Sequence, residues 1–161
     1  MADLIANAGL DDHIEVDSAG TGAWHVGARA DERSRAEANR RGIELTSRGR
    51  QVHAGDFHHF DLLLAMDRSN EQDLLDLAPT PELRRKVRLL RSFDPARTAA
   101  TGTALDVPDP YYGGERGFAD VYDLIRAACE GLLTDLIADG LVDGLVDGLV
   151  DGGLDGLTDQ S

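Results

Sequence analysis

Residues 106–114, with the sequence Asp-Val-Pro-Asp-Pro-Tyr-Tyr-Gly-Gly, contain the side chains of this chain best suited to chemistry. Each proline fixes its own φ at about −65° and drives the preceding residue towards extended geometry. Asp109 is therefore expected on a stiff loop that restricts the direction of its carboxylate. Tyr111 and Tyr112 offer flat apolar faces with polar tips, which suit an aromatic ligand. The same pattern also fits a plain turn, in which Asp109 caps a backbone amide and the tyrosines cover the core.

Eight elements are predicted around this loop from hydrophobic periodicity and capping residues. In chain order they are a helix closed by Gly9, a strand at 13–17, a helix at 31–41 ended by Gly42, a helical turn capped by Asp56 and running to His59, a strand at 60–66, a helix that Asp67 caps and that runs to about Leu77, a strand at 87–90 and an amphipathic helix at 118–136. This alternation indicates an α/β fold with a parallel sheet, in which ligands gather at the carboxyl ends of the strands. Ser18, Trp24, Asp67 and the Asp109 loop all follow predicted strands, so we expect them to converge.

Composition limits the possible functions of the chain. Its 161 residues, 42% of them hydrophobic, are enough for one soluble domain with a sizeable core. No apolar run is long enough for a membrane helix and no signal peptide opens the chain, so a cytoplasmic protein without membrane association is predicted. The formal net charge of −14 disfavours binding of nucleic acid through a basic surface.

Cys129 is the single cysteine of the sequence, which excludes an intramolecular disulfide and a cysteine-rich zinc site. It lies in the apolar stripe of the helix at 118–136, where a thiol is expected to be a small core residue rather than a nucleophile. The histidines, including His58 and His59, show no spacing typical of a metal site. Neither a metal nor a cofactor is predicted.

Two segments are predicted, a domain at 1–138 and an acidic tail at 139–161. From Gly140 onward the tail repeats a four-residue unit five times, as GLVD, GLVD, GLVD, GGLD and GLTD. A glycine in every unit opposes helix formation, so the tail is expected to be disordered and without a catalytic role.

Several motifs occur in the order in which a known family carries them. They are residues 16–21 (Val-Asp-Ser-Ala-Gly-Thr), 24–27 (Trp-His-Val-Gly), 50–52 (Arg-Gln-Val), 56–57 (Asp-Phe), 64–70 (Leu-Ala-Met-Asp-Arg-Ser-Asn), 94–95 (Asp-Pro) and 107–113 (Val-Pro-Asp-Pro-Tyr-Tyr-Gly). Through this ordered set, which is more specific than any one motif, the chain resembles the low-molecular-weight protein tyrosine phosphatases over roughly residues 1–138.

The resemblance implies a three-layer α/β fold whose parallel sheet carries a phosphate-binding loop, C-x5-R-[ST], after its first strand. It implies hydrolysis of a phosphotyrosine protein or an aryl phosphate through a cysteinyl-phosphate, without a metal or cofactor. By the same resemblance Asp109 is the general acid that protonates the leaving phenolate. Trp24, Tyr111 and Tyr112 then line the pocket for the substrate ring, and Ser18 braces the phosphate-binding loop.

The chain departs from the family at this loop, because no C-x5-R sequence occurs in its 161 residues. Residues 1–3, Met-Ala-Asp, resemble the segment that follows the loop in relatives, so the first, central strand of the sheet is expected to be missing as well. Its loss would leave a gap of two strand spacings, roughly 9–10 Å, between the neighbouring strands. Ser47 is a smaller departure, since relatives often carry a histidine there.

Three hypotheses follow from these departures. The sequence belongs to a phosphatase whose start was misplaced or truncated, or to a pseudophosphatase that binds without catalysis, or to a truncated product that does not fold stably. An arsenate reductase of the same superfamily is less favoured, because Tyr111 and Tyr112 suit an aryl phosphate. In each case residues 1–161 alone are expected to be inactive, since Asp109 has no nucleophile to serve. The sequence does not predict an oligomeric state.

Overall fold

The computed structural model describes residues 1–97, 99–110 and 114–140. In chain order its helices and strands are α1 (Ala2–Asn7), α2 (Glu32–Arg40), α3 (Asp56–His59), β1 (Leu63–Ala65), α4 (Arg68–Leu77), α5 (Pro81–Arg84), β2 (Val87–Leu89) and α6 (Gly114–Ala138). Tyr111, Tyr112 and the repeats of the acidic tail from 141 onward lie outside the described residues.

The two strands form a parallel sheet, as the alternation of elements predicts. Leu63 of β1 is paired with Val87 of β2, and Ala65 is paired with Leu89. These four side chains pack with Phe57 and Leu74 in one buried cluster, so α3 and α4 cover the sheet. Burial of this apolar surface positions the carboxyl end of β1, from which the candidate site is built.

Helix boundaries follow the local signals in the sequence. Gly9 and Gly42 take φ values of 68° and 78° just beyond α1 and α2, a left-handed conformation that glycine adopts without a steric penalty. Asp67 is the N-cap of α4, since its Oδ1 accepts a hydrogen bond of 2.7 Å from the Asn70 backbone N–H. Asp56, in contrast, is the first helical residue of α3 rather than its cap, so this prediction is wrong.

The predicted strand at 13–17 is also absent from the described structure. The segment is followed by an isolated parallel bridge between Gly20 and Gln51, in which Gly20 N–H donates to the Arg50 carbonyl at 2.9 Å. A strand requires a hydrogen-bonded neighbour, and no described residue pairs with 13–17 in this way. Ile14 nevertheless packs against the cluster of Ile5, Leu10 and Leu133, whereas Val16 is 45% exposed. The alternation therefore reflects the packing of Ile14 alone, on a segment that forms no ladder with any described residue.

Helix α6 packs across the domain with the apolar face that its periodicity predicts. Cys129 is 5% exposed and lies with Leu90 and Ala128 in a buried cluster, which confirms its interpretation as a core residue. Gly131 is buried against the Phe93 carbonyl, and a Cβ at this position would overlap that oxygen. A glycine here thus permits the close approach of α6 to the segment after β2. None of the helices in the described part of the chain is long and apolar enough to cross a membrane.

Candidate functional site

The Asp109 segment is attached to the carboxyl end of β1. Val107 N–H donates a hydrogen bond of 2.8 Å to the carbonyl of Met66, the residue that follows β1 directly. Asp67, which comes next, is occupied in capping α4. The structure therefore brings the Asp109 loop close to the carboxyl end of β1, as expected from the position of each after a predicted strand. Asp67 has a role in local structure, as the cap of α4.

Two arginines hold Asp106, three residues before Asp109. The Asp106 carboxylate accepts hydrogen bonds from Arg68, at 3.1 Å from its backbone N–H and at 3.3 Å from Nε. Arg91 Nη1 donates to the Asp106 carbonyl at 2.8 Å. The Arg91 side chain is buried, and its Nη2 lies 3.9 Å from the Asp94 carboxylate. These contacts fix the start of the loop from two directions, on α4 and after β2.

Asp109 itself is exposed between Pro108 and Pro110. On its other side, the first turns of α6 lie close to the loop, because a Cβ added at Gly117 would stand 2.9 Å from the Pro110 carbonyl oxygen. The loop is thus held between β1 and α6, and Asp109 is exposed within it. A carboxyl group in this setting can exchange a proton with a bound molecule, which is the elementary requirement for a general acid.

Ser18 and Trp24 lie on a second segment, attached to residues 48–52. The Ser18 backbone N–H donates to Asp17 Oδ1 at 2.7 Å, and Arg50 Nε donates to Asp17 Oδ2 at 2.6 Å. The hydrogen bond from Arg50 is the main cause of the lowered pKa of Asp17, with the Ser18 N–H adding to it. Trp24 is 87% exposed and its indole covers Gly22.

Asp56 completes this ion-pair network and was not among the residues that sequence reasoning selected for it. Its Oδ2 accepts hydrogen bonds from Arg50 Nη1 at 2.8 Å and from the His53 backbone N–H at 3.0 Å. Burial raises the pKa of this carboxyl, but the hydrogen bonds from Arg50 and His53 outweigh it and the pKa is lowered overall. Arg50 therefore joins the segment of Ser18 to the start of α3 through two carboxylates.

The residues missed by the sequence are mainly the partners in these contacts, Arg50, Asp56, Arg91 and Asp106. Arg50, Asp56 and Asp106 fall inside or beside motifs of the family resemblance, and these motifs are the sequence signal that could have identified them. Arg91 had none, because its burial follows from packing that one sequence does not display. No cluster of three metal-ligating side chains occurs within the described ranges. Cys129 is enclosed in the core and does not present a thiol to any of these surfaces.

Comparison with known proteins gives concordant matches. The family model for "Low molecular weight phosphotyrosine protein phosphatase" matches residues 1–141. The low molecular weight protein-tyrosine-phosphatase of Streptomyces coelicolor is 46% identical over 129 residues, covering 80% of this chain and 77% of the relative. Low molecular weight protein-tyrosine phosphatase A of Mycobacterium tuberculosis is 43% identical over 134 residues, covering 82% and 77%.

Solved structures show the same likeness. A crystal structure of a protein tyrosine phosphatase from Entamoeba histolytica superposes with a TM-score of 0.77 at 38% identity, covering 85% of this chain and 84% of that one. YfkJ from Bacillus subtilis gives a TM-score of 0.74 at 34% identity, with coverage of 85% and 82%. The α/β fold expected from the sequence is thereby confirmed.

Proposed function

The chain belongs to the low molecular weight phosphotyrosine protein phosphatase family, and from this membership we propose that Asp109 is the proton donor in hydrolysis of phosphotyrosine or another aryl phosphate. In this reaction a cysteine thiolate attacks phosphorus as the aryl oxygen–phosphorus bond breaks, and the leaving phenolate takes the proton of the Asp109 carboxyl. Water then cleaves the cysteinyl-phosphate, releasing phosphate and restoring the thiolate.

The attachment of the Asp109 loop carries this proposal. The Val107 N–H donates a hydrogen bond to the residue after β1, and Asp106 accepts hydrogen bonds from Arg68 and Arg91. A general acid must stand within hydrogen-bond reach of the leaving oxygen, and a loop fixed on both sides lowers the entropy lost in reaching that position. Asp109 is an exposed residue near the carboxyl end of β1, where parallel α/β folds bind ligands, and this placement supports the proposed role.

Binding of the aryl group falls to Trp24, Tyr111 and Tyr112 in this proposal. Aromatic side chains favour binding of a phenyl ring through stacking and burial of apolar surface. Trp24 is exposed, so its indole is accessible to such a ring. Ser18 is proposed to brace the phosphate-binding loop. Its backbone is fixed through Asp17 and Arg50, and its side chain is exposed.

The nucleophile is the part that residues 1–161 do not supply. They contain no C-x5-R sequence, and their one cysteine is buried in α6. We therefore propose that this 161-residue polypeptide alone does not hydrolyse aryl phosphates. Assay with p-nitrophenyl phosphate should give only background turnover, unchanged by Cys129→Ser or Asp109→Asn. Turnover that disappeared with Cys129→Ser would refute the assignment.

The role of Asp109 is tested separately by restoring the missing chemistry. A strand followed by a C-x5-R-[ST] loop, as the family resemblance implies, would be joined ahead of Met1, and turnover of p-nitrophenyl phosphate would be measured. Asp109→Asn should then lower kcat by about 10²–10⁴-fold, the usual contribution of a general acid. Asp61→Asn, on an exposed residue outside the proposed site, is the matched control. Equal rates in the two variants would contradict the role of Asp109.

The intact mass of the protein isolated from its own cells distinguishes a phosphatase with a misplaced start from a pseudophosphatase or a truncated product. A mass well above 17.3 kDa supports a phosphatase with additional sequence that carries the nucleophile. A mass matching this chain, together with absent turnover, supports a binding or non-functional product.

A further inference from the structure

A cavity of about 500 Å³ lies between α2 and the segment that follows it, and none of its described lining residues belongs to the Asp109 loop. Three of its lining residues are Arg29, Arg35 and Arg48, and Asn39 and Thr46 add an amide and a hydroxyl. The backbone brings two of the arginines together, because Arg29 and Arg48 form an antiparallel bridge. Arg35 reaches the same space from α2.

Among the residues that the structure describes, few partners neutralise the charges of these arginines. Within the described residues Arg29 and Arg35 form no ion pair, and Arg48 uses Nη1 alone, in a hydrogen bond of 2.9 Å to the Gly27 carbonyl. Glu44 is the one acidic residue in the described part of the lining, and no ion pair joins it to any of the three. Guanidinium groups brought together repel one another, and a bound anion would relieve this repulsion.

Other arginines of the same region behave differently, which makes the cavity distinctive. Arg33 pairs with Asp31 at 3.0 Å, while Arg40 and Arg41 both pair with Glu37. In a chain of net charge −14 acidic partners are abundant, yet within the described ranges they pair with Arg33, Arg40 and Arg41 and not with Arg35. The positive charge of the cavity is therefore not a general feature of this helix.

We propose that this cavity binds a small phosphate-bearing anion, at a site separate from the Asp109 loop. Guanidinium groups match phosphate oxygens with paired N–H donors, and the Asn39 amide and Thr46 hydroxyl can donate to the remaining oxygens. Ile43 and Leu45 give the same cavity an apolar wall, which suits the organic part of a phosphate ester. Its volume lies within the range of about 300–1,000 Å³ usual for small-molecule sites.

Calorimetric titration of the 161-residue chain with inorganic phosphate and with AMP tests the proposal. Because residues 1–161 contain no C-x5-R sequence, binding cannot be attributed to that cradle. If inorganic phosphate and AMP bind saturably with equal affinity, the cavity recognises the phosphate group alone. If AMP binds more tightly, the cavity also recognises the organic part of a phosphate ester. Absence of saturable binding by either anion overturns the proposal.

Matched variants locate the binding. Arg35→Gln removes one guanidinium from a partly exposed position of α2, and glutamine preserves the helix propensity there. The substitution should weaken phosphate binding about tenfold, as expected for the loss of one hydrogen bond to a charged group. Arg84→Gln removes the same charge from α5, outside the cavity, and should leave affinity unchanged. The helical circular dichroism of both variants establishes that they are folded. Equal weakening by the two variants would show non-specific attraction and would refute the site.

Discussion

Replacing Asp56 by asparagine tests whether the ion-pair network around Arg50 stabilises the fold. Asp56 is 5% exposed and accepts hydrogen bonds from Arg50 Nη1 and the His53 backbone N–H. Asparagine has the same shape and keeps one oxygen for the His53 N–H, so the substitution chiefly removes the negative charge. Arg50 retains its second partner, Asp17, at 2.6 Å.

The expected loss of stability follows from these contacts. A hydrogen bond between charged groups contributes about 1.5–3 kcal/mol. The Arg50 side chain is 31% exposed, so solvent weakens the pair and a value of about 2 kcal/mol is expected. For a chain of this length that corresponds to a fall in Tm of about 4–8 °C.

Urea unfolding of the 161-residue chain at neutral pH measures this difference. Asp61→Asn is the control, because Asp61 is exposed and makes no ion pair within the described structure, and it should change stability by less than about 0.5 kcal/mol. Arg50→Gln completes a double-mutant cycle, in which a coupling of about 1–2 kcal/mol is expected. If the effects of Asp56→Asn and Arg50→Gln add without coupling, the ion pair does not stabilise the fold.

The same network gives the protein a defined response to acid. The pKa values of Asp17 and Asp56 are both lowered from their ordinary value of 3.8 by folding. Carboxyls with a lowered folded-state pKa stabilise the protein above the unfolded-state value, and this contribution is lost as the pH falls through the folded-state pKa. The destabilisation by Asp56→Asn should therefore be full at neutral pH and shrink below about pH 4.

Two further substitutions test local structure by the same unfolding assay. Asp67→Ala removes the N-cap of α4 and should cost about 1 kcal/mol, whereas an unchanged stability would contradict the hydrogen bond to Asn70. Gly131→Ala adds a Cβ against the Phe93 carbonyl and should destabilise by about 1–3 kcal/mol despite the better helix propensity of alanine. Asp135→Ala, on the exposed face of α6, is its control, and stabilisation by both alanines would refute the close approach of α6.

The sequence alone determined the features that depend on near neighbours in the chain. These features are the glycines after α1 and α2, the Asp67 cap and the apolar stripe of α6. Each depends on residues a few positions apart, so the sequence predicts them, and the structure confirms them. The ordered motifs likewise led to the family. The motifs also supplied the roles given to Asp109, Trp24 and Ser18, which stay predictions until the assays above are made.

Only the tertiary structure decided which segments meet. The alternation at 13–17 has the pattern of a strand, but strand formation requires a hydrogen-bonded neighbour, and the described chain provides none there. Asp56 has the residue type of a helix cap, yet its Oδ2 accepts hydrogen bonds from Arg50 and from the His53 backbone N–H instead. Arg91 contacts Asp106 across 15 residues of sequence. Contacts of this kind arise from packing between elements, and local sequence preferences do not encode them.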